Sequence, residues 1–367
     1  MRSARIVIIG GGVVGASVAY HLALRGERDV LVLERAARQG LGSTGRATGG
    51  VRAQFETEVN IRMSLYSIDH FRNCEFETGY DPKGYLFFTT DRTIHEGLKK
   101  NLAKQKELGV EGLEVLDSAD IKSLIPAMNC DDIVGGVFGK QDGFINPVAV
   151  MQGFTKGAVE RGTRIELGRK VTRINVTGGH VVSVSTDIGE IACDAVVVCA
   201  GAWTRELAAT AGVDVPVEPL RRQIVWARCK EALPPDLPMV IDAGNGFHFR
   251  PAVDFWEQDE GSARNRDILF AYPDRDEAPS FNTQFDAAFS DKVYELARHR
   301  AQFLFESEPI VEKCRAGLYE NTPDHHAIIG GCGVEGLYFA AGFSGHGVMH
   351  SLERFERGEL LNETGYI

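Results

Sequence analysis

The sequence lacks the features of a membrane-spanning or nucleic-acid-binding protein. No apolar run approaches the roughly 18 residues that a transmembrane helix needs. We expect no signal segment, because the first apolar run, Ile6–Ile9, follows the start of the chain almost at once. Positive side chains are fewer than negative ones. The chain has 40 lysines and arginines and 51 aspartates and glutamates, which gives a net charge of −11. Without a basic run, this balance excludes nucleic acid and anionic membrane as main partners.

Cysteine is also sparse, and its arrangement gives no sign of disulfides or metal binding. The seven cysteines of the 367-residue chain are scattered, odd in number and free of any CxxC pair. We therefore expect reduced thiols, a cytoplasmic location and no metal site. The composition, 44% apolar and 25% charged, is that of a globular protein. The length suits two domains, or one domain that carries an inserted lobe.

Three segments of the chain alternate between buried-strand and helix patterns. Residues 5–34 predict a strand, a glycine turn, the helix Val13–Arg25 and a second strand Asp29–Glu34. Strands that are buried on both faces of a parallel sheet show this near-continuous Val, Ile and Leu character. Similar patterns recur near residues 145–210 and 325–367, and β-rich or helical segments separate them. This order predicts a nucleotide domain that is interrupted twice by a second, sheet-based lobe.

A glycine motif of the form GxGxxG joins the first predicted strand to the first helix. Gly10 makes the tight turn, Gly12 lets the backbone approach a pyrophosphate, and Gly15 permits close packing of helix and strand. The phosphates then lie beside Val13 and Val14 at the helix N-terminus, where N–H groups without partners favour negative charge. The motif, placed between a strand and a helix, predicts a dinucleotide site.

Further residues extend this site along the dinucleotide. Glu34 ends the second strand, the expected place for a carboxylate that binds ribose hydroxyls. Arg35 follows it and is predicted to stack on adenine, or alternatively to be a solvated surface cation. The glycine-rich segment Ser43–Gly50 comes next, and its hydroxyl and N–H groups are predicted to follow the dinucleotide toward a redox ring. The alternative for this segment is a flexible turn.

Several motifs resemble those of one enzyme superfamily. These are residues 5–22 (RIVIIGGGVVGASVAYHL), residues 43–55 (STGRATGGVRAQF), Cys199–Trp203, Gly317–Asp324 and Gly342–Gly347. Together they resemble the D-amino-acid oxidase superfamily of FAD-dependent oxidoreductases, and within it the sarcosine oxidase β-subunit and amino-acid dehydrogenase branch. The resemblance covers nearly the whole chain. It is specific for the fold and only loosely specific for the substrate.

The resemblance implies an α/β fold with two domains. A discontinuous Rossmann-type FAD-binding domain would contain residues 1–84, 145–215 and 320–367. A substrate domain with a mostly antiparallel sheet over the flavin would contain residues 85–144 and 216–319. The cofactor would be FAD rather than NAD.

The resemblance also implies which residues surround FAD. Val171 would contact adenine through its backbone, the alternative being a plain core residue of a strand. Some relatives attach flavin to a cysteine at the position of Gly317, and Cys314 lies three residues too early, so we predict non-covalent FAD. The predicted cofactor residues are Gly10, Gly12, Val13, Val14, Gly15, Glu34, Arg35, Ser43, Thr44, Thr48, Gly49, Gly50, Val171, Cys199, Ala200, Gly201, Trp203, Gly345, His346, Gly347, Val348 and Met349.

Oxidation of an amine next to a carboxylate needs a cation for that carboxylate and stabilisation of negative charge on the flavin. Arg52 is the predicted carboxylate ligand, since arginine binds a carboxylate through two parallel hydrogen bonds. Its alternative is an internal salt bridge with Glu56 or Glu58. The loop Gly342–Gly347 is predicted to lead into a helix whose N-terminus stabilises the flavin charge.

Three more side chains are candidates for the substrate site. The hydroxyl of Tyr319 is predicted to bind the carboxylate or the amine, the alternative being an ordinary core tyrosine. His248 lies on a predicted strand and faces either the pocket or solvent. His346 is predicted to hold the flavin rather than to act as a free base, because its loop is built around the cofactor.

Two departures from the relatives bear on the reaction. Sarcosine-oxidising relatives often carry a lysine at the position of Met349, so a second cation for the carboxylate is in doubt. Relatives that react quickly with oxygen often place a lysine in the strand matching Ile268–Tyr272, and this strand has none. We therefore expect oxidation of the C–N bond of a small secondary amine or amino acid, with electrons passed to an acceptor subunit or protein. The alternatives are a flavoenzyme for 2-hydroxy acids or polyol phosphates, and a flavin-carrying assembly protein.

The tail of the sequence is short for such a fold. In relatives a helix that covers the FAD-domain sheet follows the glycine loop, whereas Ser351–Leu361 offers too few apolar positions for one. Gly358 would also interrupt it. We therefore expect that a segment is absent near His350–Ser351, the alternative being a natural deletion.

Overall fold

The computed structural model describes residues 2–256 and 265–352. Its strands are β1 (Arg2–Ser3), β2 (Ile6–Ile9), β3 (Val30–Glu34), β4 (Gly50–Val51), β5 (Tyr85–Thr89), β6 (Leu113–Leu116), β7 (Gly135–Gly139), β8 (Gly143–Phe144), β9 (Arg164–Leu167), β10 (Val171–Thr177), β11 (His180–Thr186), β12 (Gly189–Ala192), β13 (Ala195–Val198), β14 (Glu218–Arg228), β15 (Met239–Asp242), β16 (His248–Pro251), β17 (Asp267–Ala271), β18 (Glu308–Pro309), β19 (Arg315–Asn321), β20 (Ile328–Gly331) and β21 (Leu337–Ala341). Its helices are α1 (Val13–Leu24), α2 (Glu58–Asn73), α3 (Arg92–Glu107), α4 (Ser118–Leu124), α5 (Pro147–Glu160), α6 (Thr204–Thr210), α7 (Ala287–Arg300) and α8 (Gln302–Phe305).

A parallel sheet carries the glycine motif. Its strand order is β20-β21-β13-β2-β3-β9, and β20 is antiparallel to its neighbour. The central strands read IVII, VLVLE and AVVV, and their side chains are almost wholly buried because helices or a second sheet cover both faces. Ile9 pairs with Leu33 on one side and with Val198 on the other. The carboxyl ends of these strands therefore meet at one edge, where the loops after them lie side by side.

Two smaller layers support this sheet. The strands β1, β12, β11 and β10 form a sheet that packs against it through Ile174 and Val184, both fully buried. On the other face α1 packs on α5, and the rings of Tyr20 and Phe154 lie 5.4 Å apart. A Cβ at Gly157 would overlap the Tyr20 ring, so glycine is needed for this close contact.

A large mixed sheet forms the second layer of the molecule. Its order is β18-β14-β17-β16-β15-β5-β7-β6, and its pairs are antiparallel apart from β15 with β5. The long strand β14 pairs with β19 through its first half and with β17 through its second half. The apolar face of α7, with Phe289, Val293 and Ala297, covers the sheet. We call it the antiparallel sheet.

The predicted α/β fold class, with parallel and antiparallel sheets, is confirmed. Several element boundaries differ from the predicted ones. The sequence pattern predicts a helix from His95, but helix α3 begins earlier, at Arg92. The Asp91 carboxylate caps it by accepting from Thr93 N at 2.6 Å and Ile94 N at 3.0 Å. The sequence pattern predicts a strand from Gln223, but strand β14 begins at Glu218, since its first half pairs with β19. That partner strand was not predicted.

The helix that we predicted directly after Gly342–Gly347 is not present in Val348–Leu352. These residues form turns, with His350 N donating to His346 O at 3.0 Å and Ser351 Oγ donating to Val348 O at 3.0 Å. The remainder of the predicted helix lies outside the described residues. The prediction of an absent segment near His350–Ser351 stays a prediction.

Two features of the described residues concern membranes and metal ions. No helix in residues 2–256 or 265–352 is long and apolar enough to cross a membrane. Within the same ranges no group of three or more His, Cys, Asp and Glu side chains is placed to hold a metal ion. The seven cysteines are free thiols, and several are buried.

Candidate active site

A cavity of about 860 Å³ is lined by residues of both large sheets. Its parallel-sheet side contains every predicted cofactor residue other than Gly15: Gly10, Gly12, Val13, Val14, Glu34, Arg35, Ser43, Thr44, Thr48, Gly49, Gly50, Val171, Cys199, Ala200, Gly201, Trp203, Gly345, His346, Gly347, Val348 and Met349. The predicted substrate residues Arg52, His248 and Tyr319 line the same cavity. The structure therefore brings the two predicted sets together in one space.

The glycine turn has the geometry of a phosphate cradle. Gly10 has a φ of 109°, which a side chain would strain, and a Cβ there would overlap the Cys199 carbonyl. A Cβ at Gly15 would overlap the Gly10 carbonyl oxygen, so Gly15 serves the packing of α1 on the turn and does not line the cavity. Among the described residues the amides of Gly12 and Val14 have no acceptor. These N–H groups at the start of α1 remain available to phosphate oxygens.

Glu34 lies at the carboxyl end of β3, on the wall of the cavity. Its two oxygens accept from Gly11 N and Ala36 N, each at 2.8 Å. These bonds fix the carboxylate, and each oxygen retains a lone pair for a ribose hydroxyl. Thr44 caps the start of α1, because its Oγ1 accepts from Val13 N at 3.0 Å.

Arginines from the antiparallel sheet hold the segment Ser43–Gly50. Arg315 donates to the carbonyl oxygens of Arg46 and Ala47, each at 3.3 Å. The buried Arg250 donates to the Thr48 carbonyl, and its ring neighbour is Phe144 at 4.4 Å. The segment is therefore tied to β16 and β19, which places its remaining polar groups along the cavity.

Arg35 and Trp203 line the end of the cavity that we predict to hold adenine. The Arg35 guanidinium lies 3.5 Å from the centre of the Trp203 ring, and the residue is exposed, so its stacking on adenine stays a prediction. Trp203 in turn stacks on Phe281 at 5.5 Å. Val171 is a buried residue at the start of β10 and reaches the same end of the cavity.

Arg52 does not form the salt bridge with Glu56 or Glu58 that was its alternative, at least within the part of the chain that the structure describes. Its Nη1 donates to the carbonyl of Gln54, and its guanidinium lies 3.8 Å from the Phe55 ring. Burial lowers its pKa, although arginine stays protonated in proteins. A charged guanidinium with most of its donors unused therefore points to an anionic ligand.

Asp142 holds the segment that carries Arg52. Its carboxylate accepts from Ala53 N at 2.7 Å and from Gln54 Nε2 at 2.8 Å, and it is almost wholly buried. Burial raises the pKa of Asp142 to about 6, and the hydrogen bonds from Gln54 and Ala53 and the nearby Arg52 charge oppose that shift. Sequence reasoning missed this residue, because it lies on a short turn between two glycine-rich strands.

Tyr319 and His248 project from the antiparallel sheet. Tyr319 is 39% exposed because its ring faces the cavity. The protein encloses that cavity, and this removal from bulk water raises the pKa of Tyr319. A Cβ at Gly345 would overlap this ring, so the glycine loop packs directly against it. His248 Nδ1 donates to Gly246 O at 2.9 Å, since a carbonyl can only accept. Burial lowers the pKa of His248, which leaves a neutral ring with a free lone pair on Nε2.

His346 belongs to the glycine loop and lies close to Arg52. Burial and the Arg52 charge hold its pKa well below the usual range, so it is neutral at neutral pH. Its ring lies 5.0 Å from the Phe55 ring and 5.8 Å from that of His350. His350 is buried behind it and shares a 2.9 Å hydrogen bond with the Ser64 hydroxyl.

The cavity also contains charged residues that the sequence analysis did not single out. Glu320 accepts from Gly342 N at 3.1 Å, and burial raises its pKa to about 7. Arg222 projects from β14, near Tyr319. Glu320 lies inside the quoted motif Gly317–Asp324, whereas Arg222 carried no sequence signal, because a charged residue on a strand is usually solvated.

The geometry of the cavity agrees with the comparisons to known proteins. The family model for FAD dependent oxidoreductases, DAO, matches residues 5–352. The chain belongs to this family. The family prediction is confirmed, and the cofactor is FAD. The glycine cradle fits the pyrophosphate of FAD, and the fixed Glu34 carboxylate fits a neighbouring ribose.

Three known proteins illustrate how the family varies in length. FAD-dependent oxidoreductase domain-containing protein 1 of Xenopus laevis is 30% identical, over 95% of this chain and 77% of its own length. Mitochondrial dimethylglycine dehydrogenase of Rattus norvegicus is 27% identical, over 95% of this chain and 41% of its own length. The crystal structure of L-proline dehydrogenase from P. horikoshii has a TM-score of 0.85 and 26% identity, covering 96% of this chain and 91% of that chain. This chain thus spans less than half of the dimethylglycine dehydrogenase.

Proposed function

We propose that this FAD-dependent oxidoreductase oxidises the C–N bond of a small secondary amine or amino acid of the sarcosine, proline or dimethylglycine type. The observation that carries the proposal is the Arg52 guanidinium, which lies in the cofactor cavity without a carboxylate partner among the described residues. The activities for which two relatives are named, toward dimethylglycine and L-proline, support a substrate with a carboxylate near an amine.

The parallel-sheet side of the cavity holds the cofactor in this proposal. The amides of Gly12 and Val14 bind the pyrophosphate, Glu34 binds ribose hydroxyls, and the segment Ser43–Gly50 follows the dinucleotide toward the flavin. His346 packs against the flavin as a neutral ring. When bound, FAD accepts the hydride from the carbon next to the substrate nitrogen. The FAD is non-covalent, because glycine occupies position 317 and Cys314 donates to the Trp226 carbonyl instead.

The substrate is bound and oriented by Arg52, which follows β4, and by Tyr319 and His248 of the antiparallel sheet. Arg52 binds the carboxylate through its free N–H donors. Tyr319 keeps its phenolic proton, since burial raises its pKa, and it donates to the carboxylate or accepts from the amine. The Nε2 lone pair of His248 accepts a proton or a hydrogen bond from the amine. Together these contacts present an uncharged amine and its C–H bond to the cofactor.

We further propose that electrons leave through an acceptor other than oxygen. The segment Ile268–Tyr272 carries no lysine, and its Ala271 and Tyr272 line the cavity. The acceptor would be a partner subunit or protein. A cytoplasmic location stays a prediction that rests on the reduced thiols.

Steady-state turnover of the purified holoenzyme tests this proposal. Sarcosine, proline and dimethylglycine would be compared with a 2-hydroxy acid and glycerol phosphate, with a dye acceptor under nitrogen and with oxygen in air. We expect turnover with an amine and dye, and slow turnover in air. Turnover confined to the hydroxy compounds would contradict the proposed substrate. Fast turnover in air without dye would contradict the proposed acceptor.

A further inference from the structure

Arg222 is a second arginine near Tyr319, and it comes from the antiparallel sheet rather than from the cofactor edge. It lies on β14 directly opposite Gly317 of β19, and its guanidinium is 5.7 Å from the centre of the Tyr319 ring. Its Nη1 donates to the carbonyl oxygens of Arg221 at 3.3 Å and of Asp274 at 3.2 Å. Both acceptors are neutral backbone groups, so the charge of Arg222 has no ionic partner among the described residues.

The nearest carboxylates are bound to other cations. Glu277 forms a two-pronged pair with Arg221, with both N–O distances at 2.9 Å. Asp274 pairs with Lys292 at 3.0 Å. Burial lowers the pKa of Arg222, which reflects the loss of water around its charge. A partly buried guanidinium whose neighbours are already neutralised is costly unless a ligand supplies the missing anion.

Arg222 and Arg52 act on the same phenol from two sides. Burial raises the pKa of Tyr319. The positive charges of both arginines lower it, and Arg222 has the larger effect of the two. Arg52 lies near the rings of Phe55 and Phe87. Arg222 instead donates to the carbonyl of Asp274, which follows β17. A ligand beside Tyr319 is therefore close to both cations, which have different neighbours. Position 349 carries methionine, so a second cation at that place is not available.

We propose that Arg222 binds a second acidic group of the substrate, so that the substrate is a small secondary amine with two carboxylates or an equivalent pair of anions. One carboxylate lies on Arg52, and the other lies on Arg222 across Tyr319. This inference rests on the proposed amine oxidation for the reaction, while the binding of a dianion by the two arginines can be measured separately.

A binding experiment without turnover tests the subsite directly. The absorbance of the flavin in the holoenzyme would be titrated with acetate, propionate and butyrate, and with the dianions malonate, succinate and glutarate. We expect one of the dianions to bind more tightly than its monocarboxylate by about 10- to 100-fold, as for a hydrogen bond to a charged group. Arg222→Met should abolish this advantage and leave the monocarboxylates unchanged. Arg222→Lys should retain part of it.

Kinetics with a matched pair of amines then links the subsite to the reaction. Iminodiacetate is sarcosine with a second carboxylate on its methyl group. We expect Arg222→Met to raise the KM for iminodiacetate by about 10- to 100-fold relative to the KM for sarcosine. The control is Arg298→Met, because Arg298 is exposed on α7 and pairs only with Glu295 and Phe305 among the described residues. FAD content would be measured for every variant.

The outcomes separate the two proposals. Equal binding of monocarboxylates and dianions by the wild-type enzyme would overturn the Arg222 subsite. Retention of the dianion advantage by FAD-loaded Arg222→Met would overturn it as well, and a lower FAD content of that variant would then show that Arg222 holds the cofactor. Absence of turnover with any amine, together with an Arg222-dependent dianion advantage, would refute the amine reaction and leave the subsite intact.

Discussion

At the scale of single residues, the proposed amine oxidation depends on the free hydrogen-bond donors of Arg52. Its guanidinium lies against Phe55 and Phe87 and donates one hydrogen bond to the Gln54 carbonyl. Arg52 also lines the cavity, where its remaining donors can bind a ligand. An apolar surround strengthens the attraction for a carboxylate, since less water screens it. The same apolar surroundings make the burial of this charge unfavourable in free energy when no ligand is bound.

Replacement of Arg52 by alanine should weaken substrate binding by about 2–5 kcal/mol, because the substrate carboxylate would lose its charged partner. FAD content should hardly change. The measurement is the dependence of rate on substrate concentration, with Arg62→Ala on the exposed face of α2 as the control. An unaltered substrate dependence would sink the proposed role of Arg52.

Asp142 gives a pH dependence of stability. Its pKa is about 6 in the folded chain against 3.8 as the ordinary value, because burial disfavours the charged form. Between these values the unfolded chain loses its proton first, so the free energy of unfolding falls as pH rises through this window, by about 3 kcal/mol. Above pH 6 the contribution stays level.

The test compares wild type with Asp142→Asn, which cannot titrate. We expect the unfolding free energy of wild type, measured against that of the variant in urea, to fall between about pH 4 and about pH 6 and then to remain constant. A difference that is independent of pH would show that Asp142 does not titrate in this range. Sarcosine KM should also rise in the variant, because Asp142 orders the segment of Arg52.

At the scale of elements, the sequence predicted the parts of the fold with strong periodicity. The strands β2, β3 and β13 are continuous apolar runs, and Gly10, Gly12 and Gly15 fix the turn after β2. The strands of the antiparallel sheet were harder to predict. β7 reads GGVFG and β19 reads RAGLYEN, so glycine and charge conceal any alternation. Arg222 was missed for the same reason, since only the pairing of β14 with β19 brings it to Tyr319.

The turn after β2 gives an element-scale prediction. Gly15→Ala would place a methyl group against the Gly10 carbonyl, so α1 must move away from the turn. We expect loss of bound FAD and a lower Tm. Gly97→Ala is the matched control, because a Cβ there meets nothing within 4 Å on the exposed face of α3, and it should raise stability by about 0.5–1 kcal/mol. Full FAD retention in Gly15→Ala would contradict the cradle.

At the scale of the whole molecule, the two sheets meet through the cavity. Arg250 and Arg315 of the antiparallel sheet hold carbonyl oxygens of the segment Ser43–Gly50, so cofactor loop and substrate wall are joined by hydrogen bonds. Sequence motifs could predict both walls but not this joint, because it depends on contacts between residues about 200 or more positions apart. FAD should therefore stabilise the molecule as a unit.

The mode of FAD attachment is tested by acid precipitation of the purified yellow protein. We expect the flavin in the supernatant, since Gly317 offers no sulfur and the Cys314 thiol, whose pKa burial raises, donates to the Trp226 carbonyl. Flavin that stays with the denatured pellet would refute non-covalent binding.

The most direct test of the central claim is anaerobic reduction of the bound flavin by candidate substrates, followed by its absorbance. The account predicts that at least one secondary amine or amino acid with a carboxylate bleaches the flavin of the wild-type enzyme, and that Arg52→Ala needs a much higher concentration of it. Bleaching by a 2-hydroxy acid or glycerol phosphate but by none of the amines, in a flavin that dithionite still reduces, would contradict the account.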